Sequence, residues 1–412
     1  MSAKGSAGIP ILHNVVLNKL IDKTPPPPSL KFSNMFPTSQ AESDEIKWET
    51  IYGSGGMTPF VAPGSSAPTV GLDGMSQSGA TAAYYKEKSF LDENLLNNLR
   101  QPGTVQTAMR SEAMVARQVG KLQYRCQRRR EWMIAKMLTA NSFSYQLKGG
   151  AKFTISYPTP SQNQVTLSGG ARWNQTTSTP AVDIFDAKRL LADQYGIAPN
   201  RVLMNSATLK LMQFNTSIGD LTKKQAFGDG DLYSNPEKAL PIILGLGALD
   251  IYDEFYEVPA WIMTPVTAGV NPVIYVDDAS DFEVGGRVRL ISTLTPYKWE
   301  ESTAITISAV DKIANTITIA GTIASNYRGG GIDKVIMRKK FVPDNLVLLY
   351  SDSIDNQPIA EFIEAPFGMG RNFGRFADTE PSWDPDGLWM RMQDKGLPVL
   401  YFPEGIFQLT VI

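Results

Sequence analysis

The segment from position 104 to 140 constrains the fold of this chain more than any other. After Gln101-Pro102-Gly103, Thr104 can cap a helix, and Val105, Ala108, Met109, Val115, Val119, Leu122, Cys126, Met133 and Met137 recur mostly at three- and four-residue steps. The spacing predicts a helix over 104–140, about 50 Å long at 1.5 Å per residue and longer than a small domain is wide. Such a helix is a strut along which the rest of the chain must pack. Gly120, which costs about 1 kcal/mol relative to Ala in a helix interior, is the expected place for a bend or a break.

The same segment carries the main charge asymmetry. Over 412 residues, 39 Lys and Arg nearly balance 41 Asp and Glu, for a net charge of −2, which excludes a globally basic nucleic-acid coat. Between positions 101 and 140, however, eight basic residues (Arg110, Arg117, Lys121, Arg125, Arg128, Arg129, Arg130, Lys136) face two acidic ones, Glu112 and Glu131. Arg117, Lys121, Arg125 and Arg128 step by four, four and three, so they share one helix face. Two readings stay open: a sequence-independent stripe that contacts phosphates, or a solvated face that pairs with acidic residues of another subunit.

Several reaction classes are excluded by what is scarce. The chain has one His, His13, and one Cys, Cys126. Nucleophilic triads need an imidazole beside the nucleophile, and His13 sits in an arm among Ile11, Leu12, Asn14 and Val15. Structural zinc needs about four Cys or His ligands, and a single Cys forms no intramolecular disulfide. Carboxylate chemistry, a Ser-Lys pair and a hard-metal site remain formally open. Gly245-Leu-Gly-Ala-Leu-Asp lacks the third glycine and helix opening of a dinucleotide loop, no GxxxxGK[ST] occurs, and Gly228-Asp-Gly-Asp231 lacks the remaining ligands of a calcium loop. Asp277-Asp278 and Glu300-Glu301 are adjacent and so point to opposite sides of a strand. No catalytic residue, cofactor or metal ligand is expected. The most apolar uncharged run, Ala239 to Leu249, contains Pro241, Gly245 and Gly247 and falls well short of the roughly 20 residues that cross a membrane.

Along the chain, residues 1–43 read as an extended arm built around Pro25 to Pro28, floppy by itself and held by something outside its own composition. From 44 to 100 the pattern is a two-stranded excursion. Ile46, Trp48, Thr50 and Tyr52 lie on one strand and Ala82, Tyr84, Lys86 and Lys88 on the return, joined by a Gly-, Pro- and Ser-rich span from Gly53 to Gly79. That connection is far longer than a hairpin turn of about 2–5 residues, and a protruding loop that lies on a neighbour is the natural reading. Residues 150–172 are strand-like. From 181 to 262 helices and strands alternate: Ala181–Tyr195 stops at Gly196, Asn200–Met204 is a buried strand, and Ser206 opens another helix. Residues 266–338 switch to strict alternation, as in Thr316-Ile-Thr-Ile-Ala, and suit a small β-barrel. Phe341–Leu349 and Leu397–Ile412 are apolar strands, and core packing accommodates Trp383, Trp389, Tyr401 and Phe402.

The order of these elements resembles that of the major capsid proteins of tailed bacteriophages, of the Hong Kong ninety-seven type fold, and is similar in particular to the phage lambda major head protein family. The motifs that carry the resemblance are Arg128-Arg-Arg-Glu-Trp-Met-Ile-Ala-Lys-Met-Leu, Gly170-Ala-Arg-Trp-Asn, Val342-Pro-Asp-Asn-Leu-Val-Leu-Leu and Glu380-Pro-Ser-Trp-Asp-Pro-Asp. The resemblance implies an α+β capsid fold: an N-terminal arm at 1–43, an E-loop at 44–100, and a spine helix with a peripheral domain at 101–180. An axial domain at 181–265, a β insertion at 266–338 and C-terminal strands at 339–412 complete it. It further implies a virion protein, assembled in the host cytoplasm into hexamers and pentamers of an icosahedral shell around double-stranded DNA. Its partners would be copies of itself, portal and scaffolding proteins and a decoration protein, with no membrane and no chemistry on a substrate. Two other readings are a tail-fibre or adhesin-like β protein, motivated by 266–338, and a carboxylate-dependent hydrolase in the α/β region.

Overall fold

The computed structural model describes residues 12–22, 27–52, 60–61, 66, 74–100, 105–146, 152–224, 234–293, 297–354 and 356–412. The Thr104 cap, the start of the proline run, the Gly228–Asp231 loop and most of the span from Gly53 to Asp73 lie outside them.

One helix, Val105–Ala140, spans 36 residues and runs through Gly120 without interruption. At 1.5 Å per residue it extends about 54 Å. A Cβ on Gly120 would meet no atom within 4 Å; the flanking Val119 and Leu122 are buried, and their packing outweighs the propensity cost of one glycine. In its first half the helix buries a single stripe, Val115, Val119, Leu122 and Cys126, against Leu91, Leu95, Leu388, Met390 and Met392. In its second half Met133, Ile134, Ala135, Met137 and Leu138 are all buried, so the helix is enclosed there on nearly every side.

Among the described residues three sheets of five or six strands form the body of the fold, beside four two-stranded ones. The first is centred on the 15-residue strand Asp386–Leu400. That strand pairs antiparallel with Ala83–Asp92 on one side and with Phe376–Trp383 and Ala360–Glu364 on the other, and Thr38–Gln40 adds in parallel beyond. The second sheet runs Gln164–Thr166, Ile406–Thr410, Leu346–Tyr350, Arg201–Met204, Ala248–Ile251. Its central strand Leu346–Tyr350 is buried at every position, as a strand covered on both faces must be. Helices Pro180–Tyr195, Ser206–Gln213 and Pro236–Leu244 are packed with it into one apolar cluster. Gly196 and Gly245 end two of these helices in the left-handed region, at φ 69° and 59°, which explains both glycines as helix stops. Asn205 caps the third by accepting a bond from the Thr208 amide at 2.9 Å.

The third sheet has six strands in the order Phe255–Trp261, Lys334–Lys340, Arg287–Ile291, Trp299–Asp311, Thr316–Ala320, Val273–Tyr275. Its two edges meet at an Ile262–Val276 bridge, where Met263 N donates to Tyr275 O at 2.8 Å and Asp277 N to Trp261 O at 3.0 Å. The sheet thus closes on itself, with Ile274, Val288, Leu290, Ile305, Ile307, Ile317, Ile319, Val335 and Met337 buried inside. Closure moves the boundaries expected from alternation: the barrel begins at Phe255 and ends at Lys340. The sequence reads strands at Ile251–Tyr256 and Ala260–Met263, within the α/β region, where the structure has one barrel strand, Phe255–Trp261, running through Pro259; 338–340 escapes the pattern because Arg-Lys-Lys offers no apolar alternation.

Three further expectations change. The N-terminal segment is helical over Asn14–Asp22, where an extended arm is expected. Leu17 and Ile21 share one face of that helix and, with Leu12 just before it, are buried in the cluster under the long helix. The Asn18 amide clasps both backbone groups of Ala377, donating to its carbonyl at 3.0 Å and accepting from its N–H at 2.8 Å. Secondly, Glu45–Tyr52 pairs with Gly74–Thr81, whereas Tyr84, Lys86 and Lys88 belong to the next strand, on Asp386–Leu400. Thirdly, Trp383 is 92% exposed, so core packing does not explain it.

Gly396 fixes how closely the central strand approaches its neighbour: a Cβ there would lie 2.4 Å from the Phe362 ring and 2.7 Å from the Ile363 carbonyl oxygen. Gly396→Ala is therefore expected to destabilise the unassembled subunit by about 2 kcal/mol, the range of overpacked cores. Chemical denaturation checks this, and an unchanged midpoint refutes it.

Candidate functional site

The second half of the long helix places five charged residues, Arg128 to Glu131 and Lys136, where apolar packing encloses the helix. Charges taken from water need partners, and each finds one from a different part of the chain. Arg129 forms a forked pair with Asp281, one arm at 3.1 Å. Arg130 reaches Glu364 at 2.8 Å and the fully buried Asp394 at 3.0 Å, with its guanidinium 4.2 Å from the Phe362 ring. Lys136 binds Glu283 at 2.7 Å, and that carboxylate also accepts from Lys339 at 2.8 Å, Tyr256 at 2.9 Å and Trp132 at 3.2 Å.

Glu131 is fully buried and has no basic partner among the described residues. Its carboxylate instead accepts from the backbone N–H of Phe32 at 2.9 Å and of Ser33 at 2.7 Å, from Ser33 Oγ at 2.6 Å and from Tyr252 at 2.5 Å. Phe32 and Ser33 open the short turn of helix Phe32–Met35, so Glu131 satisfies amides that a helix start leaves unbonded. Burial pushes the carboxyl up, opposed by those hydrogen bonds. One side chain thereby ties the N-terminal segment to the long helix.

The expected stripe divides at this seam. Arg125 pairs with Glu87, and Arg128 donates to Tyr124 at 2.9 Å and lies 3.7 Å from Glu254. Arg117 and Lys121 are exposed and have no acidic partner among the described residues. The structure therefore brings Arg125 and Arg128 into contact with acidic groups of their own chain and leaves Arg117 and Lys121 facing outward. The residues that sequence reasoning missed are the carboxylates, Asp281, Glu283, Glu364 and Asp394. The density of cations on a largely apolar helix was the only signal that such partners must exist.

Between the long helix, strand Ala83–Asp92 and the barrel lies a cleft of about 660 Å³, lined among others by Tyr85, Arg125, Cys126 and Arg129. Burial, with Asp394 and Glu87 nearby, pushes the Cys126 thiol up to about 12, so it stays protonated and unreactive at neutral pH. His13 is exposed, and its carbonyl accepts from the amides of Val16 and Leu17 in the first turn of helix Asn14–Asp22. The adjacent acidic pairs are occupied separately: Asp277 accepts from Trp261 N, Asp278 from Ser280 N, Glu300 from Ala324 N, and Glu301 pairs with Arg289 and Arg338. Among the described residues no cluster of His, Cys, Asp and Glu has a metal-binding arrangement, and no helix is long and apolar enough to cross a membrane.

Comparison with known proteins agrees with this architecture. A prophage protein of Escherichia coli CFT073, described as a capsid protein, superposes with a TM-score of 0.51 at 13% identity over 100% of both chains. A phage-related protein from Bordetella bronchiseptica RB50 gives 0.47 at 13% identity over 96% of each chain, and the capsid protein of cyanophage P-SCSP1u gives 0.43 at 9% over 92% of this chain and 87% of that one. No curated protein matches the chain. The family model described as phage major capsid protein E matches residues 15–293 and 291–411, and the chain belongs to that family. It is a structural protein of the virion, a tailed-phage major capsid protein with the Hong Kong ninety-seven type of fold that forms a shell.

The seam makes stability depend on pH. Burial alone would raise the Glu283 carboxyl, but Lys136 and Lys339 outweigh it and hold the group down at about 2, below the ordinary 4.5. A carboxyl depressed in the folded state stabilises it above the unfolded value and loses that contribution as pH falls from about 5 towards 2. Glu283→Gln is expected to cost about 3 kcal/mol at pH 7 and little near pH 2. Denaturation of the unassembled subunit at both pH values checks this; an equal loss at both would contradict it.

Proposed function

We propose that this chain builds an icosahedral shell of hexamers and pentamers around double-stranded DNA. In this reading 1–43 is the N-terminal arm, the pair Glu45–Tyr52 and Gly74–Thr81 with its connection the E-loop, the helix Val105–Ala140 the spine, and the sheet around Asp386–Leu400, with Ala83–Asp92 as one of its strands, the peripheral domain. The sheet around Leu346–Tyr350 with its helices is the axial domain at the capsomer centre, and the barrel 255–340 is the insertion. Assembly takes place in the host cytoplasm, with portal and scaffolding proteins and an outer decoration protein as partners. The role is architectural, without chemistry on a substrate.

The observation that carries the reading is the excursion. Strands Glu45–Tyr52 and Gly74–Thr81 pair over their whole length, and Ile46, Trp48 and Thr50 are buried at the root. Yet the 21 residues between the strands include Phe60, which is fully exposed. A phenyl ring held in solvent within an insertion of that length suits a lattice in which a neighbour covers it. Many such modest contacts add through multivalency. The fibre reading predicts trimers and gives the long spine no role; the hydrolase reading lacks an assembled set of acid and base among the described residues.

Replacing residues 53–73 by a two-residue Asn-Gly turn is expected to leave the unassembled subunit folded, because the strand pairing at the root is retained, while abolishing shells. Size-exclusion chromatography and negative-stain microscopy beside the intact chain check this. Normal shells from the shortened chain would remove the loop's role, and fibres from the intact chain would remove the shell geometry.

A further inference from the structure

The hairpin Phe376–Trp383/Asp386–Leu400 buries alternate residues on one face: Ala377, Thr379, Leu388, Met390 and Met392 cover the first helix and the long helix. Pairing of Pro381 with Leu388 and of Trp383 with Asp386 continues that face to the tip. There the cover ends, and Pro381 and Trp383 are exposed, Trp383 at 92%. Asp384 and Asp386 flank the indole, both exposed, and their carboxylates make no hydrogen bond or ion pair among the described residues. A large aromatic ring left in water at the end of a buried face, with charges beside it, has the composition of an interface anchor.

A matching surface lies at the same end of the molecule. Gly387, next to the tip, pairs with Asp92, and the chain then passes through helix Glu93–Arg100 into the start of the long helix. On the outward side of that helix Arg110, Met114, Arg117 and Lys121 step by four, three and four along one line. All four are exposed, Met114 at 53%, and the three cations have no acidic partner among the described residues. The tip offers an aromatic ring between two carboxylates. The helix offers an apolar side chain between cations, which attract both carboxylates and the face of an indole.

We infer that the tip around Trp383 docks on the Arg110–Lys121 face of the long helix in a second copy of this chain. Because both surfaces sit at one end, copies meeting end to end present tip to helix in turn, and the contact closes around a symmetry axis. The inference deepens the shell reading and rests on it. It assigns Arg117 and Lys121 to a protein neighbour; contact with packaged DNA is the competing outcome.

Charge reversal with compensation tests it. Asp384→Lys with Asp386→Lys, and separately Arg117→Glu with Lys121→Glu, are each expected to lower shell yield about tenfold by like-charge repulsion across the contact. All four positions are exposed, so thermal unfolding of the unassembled subunit should stay that of the wild type. Trp383→Ala should also lower the yield. Joining both reversals in one chain restores opposite charges and should recover shells to within about threefold. Wild-type yield from either reversal, or no recovery in the combined chain, overturns the inference. Loss of retained DNA in normal shells of the Arg117→Glu, Lys121→Glu chain would overturn it in favour of phosphate contact. The loop-shortened chain, which fails to assemble for another reason, distinguishes a wrong contact from a wrong shell reading.

Discussion

The structure depends on burying a charged helix. The half of Val105–Ala140 that carries Arg128 to Glu131 and Lys136 is also the half enclosed by apolar packing, and an unpaired charge there would cost several kcal/mol. Each charge is answered from a different quarter: Asp281 and Glu283 from the turn that leads into barrel strand Arg287–Ile291, Glu364 and Asp394 from the sheet, and Phe32, Ser33 and Tyr252 around Glu131. Parts of the chain separated by more than 200 residues are thus oriented against one helix. Forked and multiply bonded pairs fix direction as well as proximity, which apolar contact alone does not.

Along the same helix the charges change role. In the second half they are spent inside the subunit; in the first half Arg110, Arg117 and Lys121 stand in solvent. A shell subunit has both needs. It must be rigid enough for its contacts to repeat with one geometry, and its outward contacts must be weak enough singly for assembly to correct itself. The barrel illustrates the first need, since it closes its own hydrogen bonding at Ile262–Val276 and so joins the two strand edges that could otherwise pair with other chains.

Much of this was legible in the sequence. The long helix, the αL stop at Gly196, the buried strand at Arg201–Met204 and the barrel strands follow from periodicity and turn chemistry, which act over a few residues. What was misread required distant partners. Residues 12–22 look like an arm until the groove beside Ala377 is present for Leu17 and Ile21 to fill. Strand Phe255–Trp261 reads with the α/β region until its pairing with Lys334–Lys340 places it in the barrel. Trp383 reads as core because aromatic residues usually are; only the geometry of the hairpin carries it past the end of its cover.

The candidate stripe shows the same division. Sequence alone determined that Arg117, Lys121, Arg125 and Arg128 share a face, because helical spacing is a local property. It also determined that the chain contains too few imidazoles and thiols for triad or zinc chemistry. Only the tertiary structure decided which of the four cations remain available. Whether an arginine is answered from its own chain depends on carboxylates brought within about 4 Å by sheet pairing and barrel closure, and nothing in the spacing of one helix records where those carboxylates come to rest.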